Sequence, residues 1–252
     1  MVKIRVMPTM LYRDLTLVKG VGFDSWRRVG SVMQQIKVYN LREVDELVFV
    51  DITASLDGRS PDFALVDDFA DECFMPLAVG GGIAEVGDIR KLLEVGADKV
   101  VINSALVSAP GLVTEGANAF GSQAIVGSID YRRHADGKLE AFTHSGTSAT
   151  GLSPLELAKR AEALGAGEVI LTSIDRDGTL SGYDIEVLAE VSDELTIPVI
   201  ASGGAGNYAD MERVILEAGV SAVAAASMFH FTEQTPLMAK RHLASRGISV
   251  RL

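Results

Sequence analysis

Short runs of consecutive apolar residues recur along the chain, separated by stretches whose apolar positions return every third or fourth residue. The runs predict strands near Ile4–Met10, Glu46–Ile52, Leu77–Val79 and Lys99–Ile102. Four more follow near Gln123–Ile129, Glu168–Ser173, Pro198–Ala201 and Ala222–Ala226. Apolar throughout rather than alternating, they read as strands covered on both faces. The stretches between them, such as EVGDIRKLLEVGA and PLELAKRAEALGAG, are amphipathic, and the second ends on glycine as helix C-termini favour. Eight strands alternating with helices over 252 residues predict an α/β chain folded as one (β/α)8 TIM barrel domain, residues 1–252. A doubly wound open sheet also satisfies such alternation, but it does not divide naturally into two equal βαβαβαβα halves.

The halves are visible in the sequence. DELVFVDITAS from Asp45 matches GEVILTSIDRD from Gly167, and MPLAVGGGI from Met75 matches IPVIASGGA from Ile197. Glu46 to Glu168, Pro76 to Pro198 and Gly81 to Gly203 are each separated by 122 positions (168 − 46, 198 − 76, 203 − 81). A constant offset over about sixty residues marks a duplication, so two half-barrels are expected, about 1–120 and 121–252. Two connections are long: Leu11 to about Gly30, and Tyr131 to Ser153. The second contains an expected hairpin with its turn at Asp136-Gly137. Both follow strands, which places them at the rim where barrels carry their sites.

The duplicated glycines suggest a chemistry. Gly81-Gly82 and Ser202-Gly203-Gly204 follow buried strands and precede helices, where bare backbone and helix N–H groups suit an anion. The segments INSA (Ile102–Ala105, with Asn103) and AAASMF (Ala224–Phe229, with Ala225 and Ser227) follow the next strand in each half. Barrels commonly bind phosphate at the loops after strands seven and eight. A duplicated pair therefore implies a long ligand with a phosphate at each end. Close helix–strand packing at a turn is the plainer reading of the same glycines.

Composition narrows the class. A net charge of −11 argues against a nucleic-acid partner. A single cysteine, Cys73, and four scattered histidines offer no disulfide, no metal-ligand spacing and no call for a cofactor. No apolar run reaches the ~18 residues of a membrane span, and the N-terminus lacks signal-peptide character, so a cytoplasmic location is expected.

Polar residues end several of the buried strands, where side chains face the mouth: Asp51, Asn103, Asp130, Thr172 and Ser202. Asp130 is the best general acid/base, because partial burial raises a carboxyl pKa; it also reads as a cap of the following turn. Lys19 lies in the first long connection. Asp177, in DRDGT, is equally a turn residue or a second acid.

DELVFVDITAS, VGGGI, GADKVVIN, FGSQAIVGSID, GAGEVILTSIDRDGT, SGYD and IPVIASGGAG followed by AAASMFHF resemble the cyclase subunit of imidazole glycerol phosphate synthase, from Lys3 to Arg251. The resemblance implies a lyase/cyclase of histidine biosynthesis acting on a bisphosphate ribonucleotide, with ammonia supplied by a glutaminase docked at the barrel's N-terminal face. It also implies that Arg5, Glu46, Lys99 and Glu168 form an ammonia gate and that Asp98 contacts the glutaminase. On residues alone, the four charges read equally well as a salt-bridge ring fixing the fold.

One position departs from the family, which uses two aspartates as an acid/base pair. Asp130 matches the second; where the first belongs, the chain has Leu11. The repeat agrees, since GSIDY laid on PTMLY pairs Asp130 with Leu11. Three readings stay open: a cyclase working with altered acid/base residues; a conduit that passes ammonia to a separate amidotransferase, as in divergent members linked to surface-sugar amidination; and the related isomerase of the same pathway. The four charged residues and GSQAIVGSID count against the last.

Overall fold

The computed structural model describes residues 3–252; Met1 and Val2, which open the expected domain, lie outside them. In chain order the strands are β1 (Arg5–Arg13), β2 (Thr16–Val21), β3 (Asp24–Gly30), β4 (Leu47–Asp51), β5 (Leu77–Gly80) and β6 (Lys99–Ile102), then β7 (Ile125–Arg133), β8 (Leu139–Thr143), β9 (Ser148–Ala149), β10 (Glu168–Ser173), β11 (Val199–Ser202) and β12 (Ala222–Ala225). The helices are α1 (Val32–Leu41), α2 (Phe63–Ala70), α3 (Val86–Glu94), α4 (Ala105–Ser108), α5 (Gly111–Phe120), α6 (Pro154–Leu164), α7 (Ile185–Glu194), α8 (Tyr208–Ala218), α9 (Ser227–Phe231) and α10 (Pro236–Ser245).

Parallel pairing runs β1-β4-β5-β6-β7-β10-β11-β12 and returns to β1, closing an eight-stranded barrel. The (β/α)8 expectation holds. One apolar cluster fills the space between strands and helices; a second, of Met7, Val48, Ala78, Val101, Val126, Ile170, Ile200, Ala222 and Ala224, fills the barrel itself. Helix ends follow local chemistry. Ser153 and Glu156 form a capping box before α6, with Pro154 in the first turn, and Gly165 closes it in the left-handed conformation.

The first long connection is not a loop. β1 runs on past Met10 to Arg13, pairs antiparallel with β2, and β2 pairs with β3, so Lys19 sits within a strand. The second connection contains the expected hairpin: β7 and β8 pair antiparallel, with His134 N donating to Lys138 O at 2.8 Å across the turn.

Candidate functional site

Barrel side chains alternate inward and outward along each strand, so every second residue climbs the interior. At the strand starts Arg5, Glu46, Lys99 and Glu168 close a ring. Arg5 reaches Glu46 at 2.6 Å and Glu168 at 3.1 Å; Lys99 reaches Glu46 at 2.9 Å and Glu168 at 3.2 Å. Each cation bridges both anions. Burial works against the Arg5 charge, but the Glu168 and Glu46 carboxylates outweigh it and raise its pKa. Asp98, exposed beside Lys99, accepts Leu77 N at 2.8 Å. Two residues above the ring, Met7, Val48, Val101 and Ile170 form an apolar layer. Two further, Thr9, Asn103 and Thr172 open into a mouth at the strand C-termini.

Asp130 sits in that mouth. Burial, and next the Asp177 charge, push its carboxyl up to about 7, while a hydrogen bond from Thr172 holds it down. Asn103 Nδ2 donates to Asp130 Oδ2 at 3.4 Å and to Ser128 O at 3.0 Å. Four strand steps in either direction separate β7 from β1, so Leu11, which lines the same mouth, stands opposite Asp130. At that position the facing wall carries an apolar side chain where a second carboxyl would stand.

The glycine loops are likewise opposed, since β5 and β11 lie four steps apart, as do β6 and β12. Gly81, Gly82, Gly203 and Gly204 have φ of +106°, +75°, +85° and +105°, a region costly for other residues. Their contacts also match. A Cβ on Gly81 would stand 2.3 Å from Asp51 O, and one on Gly203 2.6 Å from Ser173 O, thirty residues back in each case. Asp88 takes the N–H groups of Ala84 and Glu85 as Asp210 takes those of Gly206 and Asn207, again 122 positions apart (210 − 88). Close packing therefore accounts for the glycines by itself, and it leaves both loops lining one mouth with Ser202, Ala225 and Ser227. Gly204→Ala places a Cβ 2.2 Å from Gly182 O at left-handed φ. It is expected to cost about 1–3 kcal/mol, read as a fall in Tm; an unchanged Tm would show that the loop yields.

Lys19 is buried and forms an ion pair with Asp177 on the loop after β10. Gly22 N donates to Asp177 O at 2.8 Å, so the β2–β3 hairpin is tied to that loop and brings Phe23 and Trp26 over the mouth. Asp51 reaches the wall, but its carboxylate is spent locally: Oδ1 accepts Thr53 N at 2.9 Å and Ala54 N at 3.1 Å, and Oδ2 faces Arg59. It shapes a loop.

Sequence reasoning missed Phe23, Trp26, Ser55 and Ser145 at the mouth, and it named the INSA segment without singling out Ser104. Ser55 Oγ accepts Gly82 N at 3.3 Å and Ser104 Oγ accepts His144 N at 3.2 Å. The repeat was a usable signal for Ser104, which precedes Ala105 as Ala226 precedes Ser227. Nothing in the sequence marked Ser145.

A family model described as histidine biosynthesis protein matches residues 5–235. Over 251 residues the chain is 48% identical to the imidazole glycerol phosphate synthase subunit HisF of Hyphomonas neptunium, covering 100% of this chain and 99% of that relative.

Proposed function

The chain belongs to the HisF family of imidazole glycerol phosphate synthase cyclase subunits, and from that premise we propose that it cyclises a bisphosphate ribonucleotide with glutamine-derived ammonia. The observation that carries the proposal is Asp130, poised near neutrality in a mouth flanked by two opposed glycine loops. The ligand spans that mouth, one phosphate at Gly81-Gly82 and Asn103, the other at Ser202–Gly204, Ala225 and Ser227. Half-barrels of about 1–120 and 121–252 are part of the reading, supported by the matching loop contacts. A glutaminase sits at the N-terminal face, touching Asp98. Neutral ammonia crosses the ring and the apolar layer, where ammonium is disfavoured because an unpaired charge there loses its solvation.

Addition of nitrogen to a carbonyl and release of the leaving fragment both require protons moved at the reacting atoms. With Leu11 opposite, Asp130 supplies both transfers, entering protonated as acid and leaving as base. Lys19, paired with Asp177, holds the hairpin to the loop after β10 and offers its remaining N–H donors to the ligand. The sign of the pH response follows. The acid form is half populated near pH 7 and falls about tenfold per unit above pH 8, so turnover normalised to free NH3 is expected to fall accordingly. A profile flat to pH 9 would remove Asp130 from the acid role.

Leu11 alone favours a second reading, in which the barrel activates a glutaminase and passes ammonia to another enzyme. Saturable binding of the bisphosphate without its turnover would support it.

A further inference from the structure

Below the ring lies a buried ion pair that the proposed reaction does not use. Lys240, on α10, is 1% exposed. Its ammonium donates to Glu43 O and lies 3.2 Å from Asp45 Oδ1, whose side chain is 5% exposed. The other Asp45 oxygen accepts Val6 N at 2.9 Å. Asp45 thus immediately precedes Glu46 in the chain and grips the residue immediately after Arg5. Those two neighbours make the shortest contact of the ring, 2.6 Å.

The grip has a backbone reason. Pro8, two residues beyond Val6 and facing the same neighbouring strand, has no N–H to give β4. The β1–β4 register begins only at Thr9↔Val48. Below that level the two strand starts are joined by the Asp45 carboxylate, and a carboxylate so buried needs a partner. Lys240 is that partner. It also holds Glu43, a non-glycine residue at φ +49° in the turn leading into β4.

We infer that Lys240 is a positioning residue for the ring: through Asp45 it fixes the spacing of the β1 and β4 starts at which Arg5 closes on Glu46. The inference rests on the proposed gate for its consequence in ammonia transfer, and its experiment separates the two. In Lys240→Met, hydrogen exchange at Val6 N–H is expected to quicken at least tenfold while the β10 and β11 amides keep their protection. With a glutaminase bound, glutamine-driven turnover falls about five- to tenfold while ammonium-driven turnover stays within twofold. Lys240→Arg, which keeps the charge, restores both. Should Lys240→Met fail to fold, Asp45→Asn retains an acceptor for Val6 and removes only the charge; two- to threefold changes in the same directions are then expected.

Unchanged exchange at Val6 overturns the inference whatever the chain catalyses. Faster exchange with equal losses from both nitrogen sources overturns it too, since the ring would then not depend on the clamp. A chain without turnover from either source fails the cyclase reading instead, and Val6 exchange still decides the clamp.

Discussion

Asp130→Asn is expected to lower ammonium-driven turnover by about 10²–10⁴-fold, the ordinary worth of a positioned acid/base. The substitution keeps shape and volume and leaves an amide oxygen for Asn103. It removes a carboxyl that burial and the Asp177 charge already hold near neutrality. Above pH 7 the native carboxylate is ionised against those forces, so the variant should melt at the same temperature or higher. A large loss in kcat with KM and Tm held is the mark of a group acting in the reaction. A fall in Tm parallel to the loss in rate would instead make Asp130 structural, as its alternative reading as a turn cap requires.

Leu11→Asp should do the reverse. It returns a carboxylate to the wall opposite Asp130, so that one group donates while the other accepts. An increase of about 10–10²-fold in ammonium-driven turnover is expected, within the range for one acid/base group. The exchange has a cost, since a half-buried leucine gives up roughly 1–2 kcal/mol of apolar burial. A second negative charge facing the mouth also raises the Asp130 pKa further, moving the fall in normalised rate to higher pH. In the Asp130→Asn background the gain should shrink, because two groups acting on one reaction are not additive. An unmoved rate in a folded Leu11→Asp chain would show that the missing acid is not what limits the reaction.

The opposition of these two residues was already legible in the sequence, because the repeat pairs GSIDY with PTMLY and closure of the barrel places β1 across from β7. The barrel strands were legible for a related reason: strands covered on both faces carry apolar runs that no helix period explains. The β2–β3 hairpin was not. The two-residue turns into and within it, Asp14-Leu15 between β1 and β2 and Gly22-Phe23 between β2 and β3, have φ of +48°, +62°, +60° and +62°, as hairpin turns of this kind demand. A leucine and a phenylalanine stand where asparagine or glycine usually signals them. Asp136-Gly137 carried that signal, and the hairpin there was expected. Asp51 was expected at the mouth because it ends a strand, and it does line the mouth; what the sequence did not show is that its carboxylate also accepts the Thr53 and Ala54 amides. Ser145 was invisible for a further reason. It lies between His144 and Gly146, all three at left-handed φ, and only that turn brings its hydroxyl to Ile52 O at 2.5 Å.

Much of the site rests on one idea, that a lone carboxyl facing leucine still completes the cyclisation. The plainest measurement gives the purified chain the bisphosphate ribonucleotide and ammonium salt, with no glutaminase present. Imidazole glycerol phosphate and aminoimidazole carboxamide ribonucleotide should form in equal amounts, with the rate rising in proportion to free NH3. Bound but unconverted ribonucleotide, from a chain that nonetheless stimulates a glutaminase, would contradict it.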